Sequence, residues 1–176
     1  MNKKKNNETA AVILASGTSE RFNDVVPKQY KKVENKTILE ITLKNLLRSN
    51  IISSLYVVYN IKHKEYIEKL EKKYKKVFFL KGADSRQSSC LNAINYLISK
   101  KENKNVLIHD AVRPFISSLN IGTLIKKLQT SDGVIPALKI VESVKYAENS
   151  IVLKNIRRNN LYLAQTPQAF LLKKLK

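Results

Sequence analysis

Cysteine, tryptophan, glycine and acidic residues are all scarce in this chain of 176 residues: one Cys, no Trp, four Gly, and 14 Asp and Glu against 33 Lys and Arg. The single Cys90 excludes an intrachain disulfide and a zinc site built from thiolates, and it reads as a small packed residue on a helix. Neither G-x-G-x-x-G nor a P-loop ending in Gly-Lys-Ser/Thr is present. No run of eighteen apolar residues occurs, and the opening MNKKKNNETAAVILASG lacks the apolar stretch and cleavage site of a signal peptide. A cytoplasmic protein with no membrane span is expected. The acid deficit leaves a formal charge of +19, a field that attracts phosphates, nucleic acid and anionic surfaces. The lysines, however, are spread through MNKKK, IKHKEYIEKLEKKYKK, SKKENKN and LLKKLK, mixed with Glu and Asn. That is the pattern of solvated helix faces. A nucleic-acid surface clusters its cations on one face and interleaves aromatics, so a basic nucleic-acid-binding module is the less favoured reading from a different class.

What is present is enough for one domain with a continuous core, since 43% of the residues are hydrophobic. AAVIL (10–14) is a short apolar run of the kind buried on both faces of a sheet. TILEITLKNLLRSN follows with Ile38, Ile41 and Leu46 at helical spacing and Thr37 as N-cap. SLYVVYN predicts a strand, and HKEYIEKLEKKYKK a helix with Ile67, Leu70 and Tyr74 on one stripe. VFFLKG predicts a strand, SRQSSCLNAINYLISK a helix carrying Leu91, Ile94 and Ile98, NVLIHDA a strand, SSLNIGTLIKKLQ a helix and GVIPAL a strand. This alternation predicts an α/β fold with a mostly parallel sheet covered by helices on both faces. ESVKYAENSIVLKNIRRNN breaks the rhythm and predicts two strands around the turn AENS, a β-arm over about 141–158. LYLAQTPQAFLLKKLK predicts a last strand and the opening of a helix.

In such sheets ligands bind beyond the carboxyl ends of the strands, which directs attention to three loops. In LASGTSERFNDVVPKQY, the small residues Ala15, Ser16 and Gly17 let backbone N–H groups approach a phosphate. Arg21 and Lys28 add two cations, and Pro27 restricts the backbone that presents Lys28. Such a pair can neutralise charge as a phosphoryl group is attacked. In GADSRQSSC, Gly82 permits a close turn, Asp84 can accept from a base or sugar, and Ser88 and Ser89 sit at a helix start. In VLIHDAVRPF, Asp110 stands at the end of a buried strand, where one carboxylate plus triphosphate oxygens holds Mg²⁺. Arg113 is placed to recognise a second phosphate. His109 and His63 are read as structural rather than as acid–base groups.

LASGTSERFNDVVPKQY, GADSRQSS, HDAVRPF and LAQTPQAF, in that order and spacing, resemble the 2-C-methyl-D-erythritol 4-phosphate cytidylyltransferases and equally the related ribitol-5-phosphate cytidylyltransferases. The resemblance runs over residues 11–170. It implies a Rossmann-like nucleotidyltransferase fold in a single domain, with CTP as co-substrate, Mg²⁺ as cofactor, a sugar-alcohol phosphate as acceptor and a homodimer formed through the arm. The implied reaction is attack of an acceptor phosphate oxygen on the α-phosphorus of CTP with loss of pyrophosphate, the acceptor being methylerythritol phosphate or, as the alternative, ribitol 5-phosphate or another pentitol phosphate. Position by position, Arg21 and Lys28 match the catalytic pair. Ala15, Ser16, Gly17, Gly82, Asp84, Ser89 and Ala111 match the nucleotide contacts, and Asp110 the metal-associated aspartate. Arg113, Ser143, Arg158 and Thr166 match the acceptor contacts. Three positions depart from the family pattern: Ser16 for a second alanine, Ala83 for a second glycine, and Glu142-Ser143 for Asp-Thr. The resemblance also implies a further strand and helix, with another lysine near the acceptor, beyond the last residue of this chain.

Overall fold

The structure is a computed structural model that describes residues 8–18, 24, 26–101 and 103–175. The first strand, β1 (Thr9–Ala15), is buried along its whole length. Its alternate residues enter two separate clusters: Ala11, Ile13 and Ala15 face one side, Ala10, Val12 and Leu14 the other. A strand buried on both faces has no polar side to show, and this is why AAVIL reads as a continuous apolar run. A 3-10 turn, Lys28–Tyr30, and the small ribbon β2 (Lys32–Val33) and β3 (Lys36–Thr37) lead into helix α1 (Ile38–Leu47). The Thr37 side chain caps that helix by accepting the Glu40 N–H at 3.1 Å. Then come β4 (Ile52–Tyr59), α2 (Lys64–Lys73), β5 (Val77–Lys81), α3 (Arg86–Lys100), β6 (Asn105–Asp110) and α4 (Ser118–Lys127).

Strands β5, β4, β1 and β6 lie side by side and parallel. Leu39, Leu43 and Leu46 of α1, Ile67 and Leu70 of α2, and Ile121 and Leu124 of α4 close one face. Ala93, Ile94 and Leu97 of α3 close the other. Of the stripe expected on α3, Ile94 is buried and Ile98 packs against the cluster. Leu91 is exposed, whereas Ser89, Ala93 and Leu97 turn inward. Cys90 packs half-buried beside the same cluster, and burial raises its thiol pKa, as suits a packed and unreactive residue.

After α4 the chain departs from simple alternation, and two readings of the sequence need correction. GVIPAL is two strands, β7 (Gly133–Val134) and β8 (Ala137–Lys139), parted near Pro136, which has no N–H to give a ladder. QAFLLKKLK does not open a helix. It forms β12 (Gln168–Leu171) and a 3-10 turn, Leu172–Lys174. β12 inserts antiparallel between β6 and β7, completing the sheet order β5-β4-β1-β6-β12-β7. Ala169 and Leu171 enter one core cluster, while Phe170 and Leu172 enter the other. A short apolar run satisfies helix and buried strand alike until a vacant sheet position selects the period of two.

The expected arm is a hairpin of β9 (Val144–Glu148) and β10 (Ile151–Ile156). Its turn residues Asn149 and Ser150 have φ of 47° and 66°, the doubly left-handed pair that matches the twist of hairpin strands. β11 (Tyr162–Ala164) pairs antiparallel with β8 at the base of the arm. No helix among the described residues is long and apolar enough to cross a membrane.

Candidate active site

Strand register decides where the loops meet. Ala15 lies beside Tyr59, Tyr59 beside Lys81, and Leu14 beside Asp110. Three loops therefore leave the sheet along one carboxyl edge. The loop 15–17 and the loop after β5 are in direct contact. The Gly82 N–H donates to the Tyr59 carbonyl at 2.8 Å, and a Cβ at Gly82 would stand 2.7 Å from Ser16 Cβ and 2.9 Å from Ser89 Oγ. Only glycine lets these strands' loops approach so closely. The Ser16 hydroxyl donates to Ser89 Oγ at 2.9 Å and ties the first loop to the second.

Ser89 is 0% exposed. Its oxygen accepts from Ser16 and from the Ala83 N–H, and its proton goes to the Ala83 carbonyl. A hydroxyl has one donor and two acceptor positions, and all three are used. Ser89 thus holds the loop from beneath, where the sequence led us to expect a direct cytosine or ribose contact. Asp84 is exposed immediately before Ser85, whose side chain accepts the Ser88 N–H at 3.0 Å and caps α3. The positive end of a fifteen-residue helix dipole therefore faces this edge.

The third loop carries an ion-pair chain. Asp110 accepts from Arg86 at 2.8 Å through one oxygen and from Arg113 Nε at 3.1 Å through the other. Arg113 also donates to the Gln165 side chain through Nη1. Ala111 is buried, with its N–H on the Leu14 carbonyl and its own carbonyl receiving the Thr42 hydroxyl. His109, 1% exposed, lies between Thr166 Oγ1 on Nδ1 and the Arg113 carbonyl on Nε2, each 2.9 Å away. A carbonyl only accepts, so Nε2 carries the proton and Nδ1 receives the Thr166 hydroxyl. Burial lowers the His109 pKa and keeps the ring neutral. The ring therefore fastens Arg113 and Thr166 to the sheet. Thr166 Oγ1 also accepts the Asp110 N–H at 3.3 Å.

The structure thus brings Ala15, Ser16, Gly17, Gly82, Ser89, Asp110, Ala111, Arg113 and Thr166 to one edge. Lys28 is exposed on its 3-10 turn and joins them through its neighbour Gln29. The buried Gln29 amide donates to the Ala15 carbonyl at 3.0 Å and the Gly17 carbonyl at 2.7 Å. Arg21 lies outside the described residues. Ser143 and Arg158 are on the exposed arm, where Arg158 donates to the Val141 carbonyl. Sequence reasoning passed over Gln29, Arg86 and Gln165. Each lies within two residues of a flagged residue, but a buried amide or a cross-loop pair has no one-dimensional signature.

A divalent cation carried on a triphosphate requires one or two carboxylates from the protein. Asp110 supplies one. Its two oxygens each accept one N–H, and a carboxylate has about four lone-pair positions, so coordination capacity remains. The donor set fits a substrate-borne ion held at one point. No group of three or more His, Cys, Asp or Glu among the described residues forms a cage.

The mostly parallel sheet, with a small-residue loop, a helix N-terminus and an Arg-Asp-Arg chain at its carboxyl edge, is of the α/β nucleotidyltransferase-like kind. A solved structure of 2-C-methyl-D-erythritol 4-phosphate cytidylyltransferase from Francisella tularensis superposes with a TM-score of 0.79 at 32% identity, covering 96% of this chain and 74% of that one. The bifunctional enzyme IspD/IspF of Pelagibacter ubique is 40% identical over 166 residues, which are 93% of this chain and 43% of that protein. The 2-C-methyl-D-erythritol 4-phosphate cytidylyltransferase of Thermosipho melanesiensis is 37% identical over 163 residues, 91% of this chain and 71% of that protein. The family described as IspD, 2-C-methyl-D-erythritol 4-phosphate cytidylyltransferase, matches residues 9–176, and the chain belongs to it. It spans less than half of the bifunctional relative and just under three-quarters of the single-function ones.

Proposed function

We propose that the chain transfers a cytidylyl group from CTP to 2-C-methyl-D-erythritol 4-phosphate. A phosphate oxygen of the acceptor attacks the α-phosphorus of CTP, a P–O bond forms there, and the bond to the β-phosphate bridge breaks to release pyrophosphate. The observation that carries the reading is the locked junction of the two nucleotide loops through Gly82, Ser16 and Ser89, which belongs to a chain of this family. Transfer of this kind depends on positioning and charge neutralisation and needs no nucleophilic side chain.

In this scheme the loop 15–17 and Gly82 receive the triphosphate and cytidine, with Asp84 and Ala111 at their margin. Lys28 and Arg21 neutralise charge at the α-phosphorus. Asp110 anchors Mg²⁺, which when bound draws negative charge from the phosphate oxygens. Arg113, held through two of its three nitrogens by Asp110 and Gln165, takes the acceptor phosphate together with Thr166. Ser143 and Arg158 complete the acceptor site from the arm of a second copy. Exposed Tyr146, Ile151, Val152 and Leu153 support that dimer, because a two-stranded hairpin is marginal alone and large uncovered apolar patches mark interfaces.

The test is pyrophosphate release from CTP and Mg²⁺ with methylerythritol phosphate or ribitol 5-phosphate as acceptor. Release with the first is expected. No release with either, from chain shown to be folded, would reject the reading, and release with ribitol 5-phosphate alone would reassign the acceptor.

A further inference from the structure

We infer that Gln29 is the positioning residue that aims the backbone N–H groups of the 15–17 loop at the nucleotide and sets their distance from Lys28. The inference rests on the proposed reading of this edge as a CTP site. Gln29 is 3% exposed, and its side-chain nitrogen reaches two carbonyls of one loop, Ala15 at 3.0 Å and Gly17 at 2.7 Å. A primary amide has two N–H bonds, and here each has its own acceptor. Asn60 reaches the intervening Ser16 carbonyl at 3.4 Å, a weaker contact, while its own oxygen accepts the Lys62 N–H at 3.0 Å. Three successive carbonyls of the loop are thereby held by side-chain amides.

The consequence follows from peptide geometry. In a planar trans peptide the N–H points opposite to the C=O of the same unit. Fixing the oxygens of Ala15, Ser16 and Gly17 therefore fixes the N–H directions of Ser16, Gly17 and Thr18, on the side away from the clamping amides. An anion site made of backbone N–H groups is effective only when its dipoles are already oriented. Of the loop's small side chains, Ser16 is tied to Ser89, but that bond holds a hydroxyl and leaves the peptide planes of the loop to be oriented by other groups. Gln29 supplies the anchor from outside. It also adjoins Lys28 on the 3-10 turn that the Tyr30 N–H closes on the Pro27 carbonyl at 2.9 Å. One buried amide thus joins the anion loop to the turn that bears the lysine, and both move together or not at all.

The test compares wild-type chain with Gln29→Met, which keeps length and apolar bulk but has no donor, and with Asn60→Ser, which keeps an acceptor for Lys62 but loses the amide. Binding of CTP with Mg²⁺ is measured directly by calorimetry, KM for each substrate by pyrophosphate release, and folding by thermal melting. Gln29→Met is expected to weaken CTP binding and raise KM for CTP by about tenfold or more, as for two buried carbonyls left unpaired. KM for the acceptor should stay within about twofold, because none of the proposed acceptor contacts hangs on this amide. Asn60→Ser should show the same split at about a third of the size, in keeping with its longer contact. A CTP affinity unchanged in Gln29→Met, or equal losses for both substrates together with a lowered melting temperature, would overturn the inference. If Gln29→Met does not fold, Asn60→Ser decides by the same split. Wild-type chain that binds CTP without turnover would remove the function and leave the binding comparison to judge the inference. Wild-type chain that does not bind CTP would remove both.

Discussion

At the carboxyl edge of the sheet, polar side chains are bonded from loop to loop, as Ser16 is to Ser89, Gln29 to Ala15 and Gly17, and Arg86 and Arg113 to Asp110. Along the arm the arrangement is reversed. Ile151, Val152 and Leu153 face solvent in succession, and Arg158 turns to a carbonyl of the arm itself. The edge is organised within one chain, so in the proposed function a nucleotide would meet dipoles and charges already in place, with little reorganisation left to perform on binding. The arm is held by its hairpin ladder and by side-chain bonds within itself, and its exposed apolar side chains need a second surface to bury them. In the proposed function, nucleotide recognition belongs to the monomer's fold and acceptor recognition to the assembled arm.

The largest effect should come from the charge at the edge. Lys28→Ala is expected to lower kcat by about 10² to 10³ with an unchanged melting temperature, since Lys28 is exposed. Arg21→Ala should do the same. A loss of less than about tenfold in both would show that the edge is not where transition-state charge is met.

Replacing Val152 and Leu153 together by Asp should shift the chain to monomer in sedimentation and abolish turnover while leaving CTP affinity unaltered. Loss of CTP affinity in that monomer would break the distinction between the two regions.

Gly82→Ala probes the edge by crowding. A Cβ placed 2.7 Å from Ser16 Cβ must part the two loops, at an expected cost of about 1–3 kcal/mol. Urea unfolding measures that cost, and calorimetry should show weaker CTP binding. An unaltered midpoint would mean that the loops are less tightly joined than the structure shows.

The smallest effect is a pH dependence. Burial depresses the His109 pKa in the folded chain, so below the unfolded value near 6.5 the unfolded chain binds a proton that the native chain refuses. Stability is full above that pH and falls as acid is added, by at most about 1.4 kcal/mol per pH unit, until the lowered folded pKa is passed. His63, lowered chiefly by burial as well, adds the same sign. Glu40 adds a further decline at lower pH. Burial alone would raise its pKa, but hydrogen bonds from Lys73 and Tyr74 prevail and lower it. Unfolding midpoints from pH 5.5 to 7.5 should therefore slope less in His109→Gln than in wild type, and equal slopes would show that His109 does not titrate with unfolding.

Much of the fold is legible in order along the chain. The doubly buried run around Val12, the Thr37 cap and the AENS turn are local features, because strand burial, capping and turn chemistry involve neighbours in sequence. The misread segments are those decided by distant partners. The run around Phe170 became a strand because β6 and β7 leave a place between them, and on α3 Leu91 stays exposed while Ser89 and Ala93 turn inward beside the expected Ile94.

The candidate site divides in the same way. Its charged and small residues could be found by asking which segments follow a buried strand, and the order of four motifs was enough to indicate the family. What the sequence alone determined was therefore the composition of the site and the sheet that carries it, since both follow from apolar period and residue type. Only the tertiary structure decided which of those residues reach outward and which serve underneath. It set the Ser89 hydroxyl beneath the loop, gave Asp110 two arginines, and assigned Gln29 to the carbonyls of Ala15 and Gly17. The reason is that a hydrogen bond between residues far apart in the chain depends on strand register and close approach, which no local run of residues records.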